Sequence, residues 1–141
     1  HTGPAVPAFE ELALLDEEGI DPSAWIWVHA QNEEDLSRHV EAAERGGWVE
    51  FDGYSPNQTD RYVEMITNMK ANDVLDRTLI SQDNGWYAVG EPDGGSVQPY
   101  YWLYEQLLPA LDDAGFTGGD IRQLTEKNPR AAFTIRRRPS G

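Results

Sequence analysis

At 141 residues, 39% of them hydrophobic and 11% aromatic, the chain is long enough for one domain with an apolar core, and its composition excludes native disorder. Its 25 acidic against 11 basic residues give a formal charge of -14, which repels phosphate backbones and anionic lipid headgroups and so argues against nucleic acid or a membrane surface as partner. The absence of cysteine excludes disulfides and thiolate metal sites, leaving imidazole, carboxylate or water to hold any metal.

No apolar run approaches the roughly 18 residues of a membrane-spanning helix, and no charged segment with a short apolar core opens the chain. A cytoplasmic setting is favoured, although the chain starts at His1 without a Met and a targeting segment upstream of it would not be visible.

Strand-like and helix-like runs alternate, the pattern of βα units on a parallel sheet. Four units are expected. The first strand is represented only by its end, His1-Thr2-Gly3, and is followed by a helix through Phe9, Leu12 and Leu15 that Gly19 closes. The second strand runs from Trp25 to His29; Asn32 is expected to cap the next helix, with Glu33, Glu34 and Asp35 in its first turn and Arg45 before Gly46 at its end.

The third strand, Trp48 to Asp52, ends at Gly53 and leads to a helix through Tyr62, Val63, Ile66 and Met69, with Asn57 and Asp60 spaced as a capping pair. The fourth is Thr78 to Gln82. A long glycine-rich loop from Asp83 to about Gln98 follows, and loops of that length in compact domains are usually functional or disordered. From Tyr100 a helix carries Leu103, Leu107 and Leu111 on one face with a kink expected at Pro109; further helices run through Ile121 and Leu124 and restart at Asn128-Pro129 with Asn as cap. No linker divides the chain, so residues 1–141 read as a single domain. A complete (β/α)8 barrel needs roughly 250 residues, so four units are half of one, or a small open sheet.

In barrels the active site lies at the C-terminal ends of the strands, and here three strand ends present His1, His29 and Asp83. Two imidazoles and a carboxylate suit a divalent cation such as zinc. Any one of them alone reads as an ordinary surface histidine or turn-forming aspartate; their shared position makes them candidate metal ligands. His39, within an acidic helix face, is expected to face solvent. Strand alternation groups Trp25 and Trp27 with His29, and Trp48 and Glu50 with Asp52. Glu50, if buried, needs a partner to offset its desolvation; nothing basic on these strands supplies one, so a partner from the missing strands is expected. Asp52 either orients a metal-ligating imidazole by hydrogen bonding or forms a turn. Tyr54, Trp86 and Tyr87 either line an apolar substrate pocket or pack the barrel mouth. The Arg136-Arg137-Arg138 cluster reads as a solvated tail.

The segments HTG at 1–3, VHAQNEEDL at 28–36, RGGWVEFDGY at 45–54, LISQDNGW at 79–86, and LLPALDDAGF followed by LTEKNPRAAF together resemble, in order and spacing, the C-terminal half of the phosphotriesterase family of the amidohydrolase superfamily. The resemblance covers essentially the whole chain. It implies strands five to eight of a (β/α)8 TIM barrel, with His1 and His29 on the more exposed of two metal ions, zinc by expectation. It further implies Asp83 on the more buried metal, as the catalytic residue that accepts a proton from a bridging hydroxide attacking an ester, lactone or phosphotriester.

The family pattern also calls for a His-x-His pair and a carboxylated Lys or a Glu on strands that precede these, and Lys70 and Lys127 both fall on helical segments instead. Its proton-relay Asp and His would fall at Asn32 and Gly53, and its lactonase-type Arg also at Gly53; none of these types is present. The chain alone is therefore expected to be inactive. Two alternatives remain: a non-catalytic half-barrel that assembles with itself, with a partner or with the missing N-terminal half, and another amidohydrolase branch acting on amides.

Overall fold

The computed structural model describes residues 1–96 and 98–135, so the arginine cluster at 136–138 lies outside the described residues. In chain order the elements are α1 (Ala5–Glu17), β1 (Ile26–Trp27), α2 (Leu36–Glu44), β2 (Trp48–Phe51), α3 (Thr59–Ala71) and β3 (Thr78–Ile80), followed by α4 (Leu108–Asp113), α5 (Gly118–Arg122) and α6 (Asn128–Phe133). The three strands form one parallel sheet in sequential order, pairing Ile26 with Trp48, Trp27 with Val49, and Phe51 with Ile80. Among the described residues there is no fourth strand. The expected first strand is a stub beside β1, held where Gly3 N–H donates to the Val28 carbonyl at 3.3 Å.

Helices cover one face of the sheet. Trp27, Val49 and Phe51 project into that layer and meet Leu12 of α1, Ala42 of α2, and Met65, Ile66 and Met69 of α3, all without exposed surface. Each such side chain contributes about 1.5–3 kcal/mol of burial if the larger apolar ones are counted. Trp48 and Leu79 are also buried but lie outside this cluster, because the pleat turns them, with Glu50, to the opposite face.

Several expected details differ. Asn32 belongs to a short 3-10 turn, and Asp35 caps α2 through Ser37 N–H. Neither Asn57 nor Asp60 caps α3, whose N-cap residue is Gln58 without a side-chain bond. The N-terminal N–H of α1 is satisfied from a distance, Ala5 donating to the Glu33 carboxylate at 2.8 Å. The kink expected at Pro109 and the restart expected at Asn128-Pro129 both take the form of a change in helix type, α4 and α6 each beginning one residue before the proline. Each follows a π-turn, Leu103–Leu107 and Gln123–Lys127, which widens the helix so that the missing N–H and the bulk of the ring are accommodated. Asn128 is helical rather than capping; fully buried, its amide donates to the carbonyls of Leu75 and Thr78 at 2.8 and 2.6 Å and pins the C-terminal helices to β3. Among the described residues no helix is long and apolar enough to cross a membrane.

Candidate metal centre

Strand β1 ends because His29 adopts the left-handed conformation, with φ 61. Such geometry is unfavourable for a residue with a β-carbon by about 1 kcal/mol or more, and persists where surrounding contacts over-determine it. Asp52, at the end of β2 and 4% exposed, supplies them: it accepts the His29 backbone N–H at 3.0 Å and bonds His29 Nδ1 at 2.7 Å. Gln31 in turn clamps Asp52, its Nε2 donating to the carboxylate at 2.8 Å and its Oε1 accepting Asp52 N–H at 3.1 Å. Gly53 leaves room for that clamp, since a β-carbon there would stand 2.6 Å from Gln31 Nε2.

The left-handed residue also breaks the alternation expected of this strand. Trp25 and Trp27 do not share the His29 face: the Trp25 indole donates to Glu11 of α1, and Trp27 packs at right angles on Phe9. Because the backbone turns at residue 29, the tryptophans serve the helix layer while His29 turns to the strand ends.

A carboxylate only accepts, so His29 Nδ1 carries a proton, and in the neutral ring Nε2 is a bare lone pair. That nitrogen faces His1 Nε2 at 2.7 Å, the two rings meeting edge to face at 85° with centroids 4.2 Å apart. Two converging imidazole nitrogens, one braced from behind by a carboxylate, are the donor set that a divalent cation takes. They supply two of the donors that such an ion requires. Asp83 follows β3, also left-handed at φ 46, exposed, with its carbonyl accepting the Trp86 indole N–H at 2.6 Å. Among the described residues no three His, Cys, Asp or Glu side chains converge closely enough to hold an ion. The fold thus joins His1, His29 and Asp52, and leaves Asp83 at the neighbouring strand end.

Glu50 lies two residues below Asp52 and is half-buried; burial pushes its carboxyl up, and the Asp52 and Asp83 charges push in the same direction. The nearby His29 ring and a Ser81 hydrogen bond oppose them. Of the three rim aromatics, Trp86 and Tyr87 are 71% and 73% exposed on the loop after β3. Tyr54 is not at the rim: it is buried, bonded to Thr59 Oγ1 at 2.8 Å and packed on Tyr62, because the chain after Gly53 folds back under α3.

His39 does not face solvent. It has no exposed surface, lies between the rings of Trp27 and Phe51 with centroids 5.4 and 5.0 Å away, and bonds the Ala30 carbonyl through Nε2 at 2.8 Å. Its spacing with Ala42 and Ala43 marks the packed face of α2. Gln31 had no signal in its residue type, only its place two positions after a candidate ligand.

A parallel βα sheet with polar side chains gathered at the C-terminal ends of its strands is the arrangement found in part of a (β/α) barrel. Residues 1–133 match the model of the phosphotriesterase family, and the chain belongs to that family. The phosphotriesterase homology protein of Escherichia coli is 25% identical over 136 residues, covering 94% of this chain and 46% of that protein. Its crystal structure, with phosphate in the active site, superposes with a TM-score of 0.75 at 24% identity over 89% of this chain and 43% of that one. A lactonase from Listeria monocytogenes superposes with a TM-score of 0.81 at 19% identity, over 94% of this chain and 43% of the other. The chain thus spans less than half the length of these relatives.

Proposed function

We propose that this chain is the C-terminal half, strands five to eight, of a metal-dependent (β/α)8 hydrolase of ester, lactone or phosphotriester bonds. The observation that carries the reading is the meeting of His1 and His29 at their Nε2 atoms, with His29 Nδ1 fixed by Asp52. His1 and His29 would hold one divalent cation, and Asp83 would contribute to a second, zinc being the ion that suits this donor set. Such ions, when bound, lower the pKa of water and polarise a substrate oxygen.

The chain's own residues do the rest. Asp52 keeps the His29 proton on Nδ1, and Gln31 keeps Asp52 in place. The Asp83 carboxylate, open to solvent at its strand end, is the acceptor for a proton released by the attacking water. Trp86 and Tyr87 offer apolar surface beside it for the organic part of a small-molecule substrate.

The test joins this chain to its upstream coding sequence and measures bound metal together with hydrolysis of ester, lactone and phosphotriester substrates. His29→Ala and Asp83→Asn should each lower metal content and abolish turnover; unchanged metal stoichiometry in both variants sinks the proposal. A turnover confined to amides would instead select another amidohydrolase branch. Loss of turnover with a stable homo-oligomer by sedimentation would select the non-catalytic half-barrel.

A further inference from the structure

The turn that carries His29 is held from two directions, and only one of them involves Asp52. Behind His29, the Ala30 carbonyl accepts two hydrogen bonds, from Glu33 N–H at 3.0 Å and from His39 Nε2 at 2.8 Å. Ala30 and His39 are both without exposed surface. A carbonyl oxygen only accepts, so His39 must carry its proton on Nε2. Its Nδ1 is then a bare acceptor, and it is buried with no hydrogen-bond partner.

A leucine at this position of α2 would fill the space between Trp27 and Phe51 without burying an orphan nitrogen. Packing therefore does not account for a histidine here, whereas the bond to Ala30 does. That bond fixes the 3-10 turn Ala30–Asn32, whose first flanking residue is the left-handed His29.

We propose that His39 is a positioning residue for His29, holding the turn after β1 through the Ala30 carbonyl so that the His29 ring stays aimed at His1. The proposal takes from the reading above only the role of His29 as a cation ligand. His39 itself stays neutral: burial pushes its pKa down and Arg61 adds to this, against the opposing effects of the Ala30 bond, Glu33 and Asp35. The Ala30 carbonyl, which can only accept, holds that neutral ring in the Nε2–H tautomer.

The test uses the 141-residue chain, uniformly labelled with 15N, together with His39→Leu, which keeps the packing and removes the donor, and His39→Gln, which restores an N–H donor. In the wild-type chain NMR should find His39 protonated at Nε2 and bare at Nδ1. His39→Leu should remain folded, yet exchange the Asn32 and Glu33 amide protons about tenfold faster and bind zinc roughly ten- to a hundredfold more weakly, the range typical of a lost outer-shell brace. His39→Gln should recover most of both.

A proton on Nδ1 of His39 in the wild type overturns the proposal without any variant, and so does a folded His39→Leu with wild-type exchange and wild-type zinc binding. If the wild-type chain binds no zinc while the amide exchange follows the expected order, the positioning role stands and the cation reading of His29 alone falls.

Discussion

Replacing Asp52 by asparagine isolates the electrostatic part of the site, because the two side chains have the same shape. The carboxylate accepts three N–H groups, from His29 N, His29 Nδ1 and Gln31 Nε2. In Asp52→Asn one oxygen becomes a donor. If it stands at the Oδ2 position it faces the His29 backbone N–H; if at the Oδ1 position it faces both His29 Nδ1 and Gln31 Nε2. The less costly arrangement loses one hydrogen bond to a charged acceptor, about 1.5–3 kcal/mol, and weakens the other two by roughly 1 kcal/mol each. Relief from burying a charge offsets part of this, leaving a net loss of about 2–4 kcal/mol. Urea titration at neutral pH, followed by far-ultraviolet circular dichroism, should show the midpoint fall by about 1–2 M for a chain of this size. A variant within about 0.5 kcal/mol of the wild type would refute the claim that Asp52 over-determines the His29 turn.

Gly53→Ala should cost roughly 1–2 kcal/mol, because the new β-carbon, 2.6 Å from Gln31 Nε2, displaces the amide from both of its bonds to Asp52. Its cost should vanish in a Gln31→Ala background, and additive losses would show that the two residues are not coupled. Glu50→Gln should stabilise the chain at neutral pH. Its carboxyl is raised in the fold, chiefly by burial, so the folded state favours the protonated form. That preference is fully expressed below the ordinary value of 4.5 and is lost as pH rises through the raised folded value. The variant's advantage in urea midpoint should therefore shrink to nothing as pH is lowered below 4.5; equal midpoints at pH 7 would contradict it.

The βα alternation and the two histidines at strand ends were legible because they depend on local periodicity and on where strands stop. Alternation failed at Trp25 and Trp27 because it assumes extended backbone up to the last residue, and His29 leaves that region. His39 was misread because an ionisable side chain hides a helix period that Ala42 and Ala43 otherwise mark. Asn128 was misplaced because it bonds residues 53 and 50 positions away; Tyr54 was misplaced because the chain after Gly53 turns its ring inward onto Tyr62 and Thr59. Gln31 acts through Asp52, 21 residues on, so no reading of its neighbours reveals it.

The first residues are tied to β1 through both sides of Gly3: its N–H reaches the Val28 carbonyl, and its carbonyl receives the Trp27 indole N–H at 2.8 Å. Trp27 is fully enclosed, so when this segment lifts away the indole loses its acceptor while its ring stays in apolar surroundings. The placement of His1 is thereby coupled to the emission of Trp27, one of two buried tryptophans, the other being Trp48. The molecule contains its own optical gauge of whether the first histidine is docked.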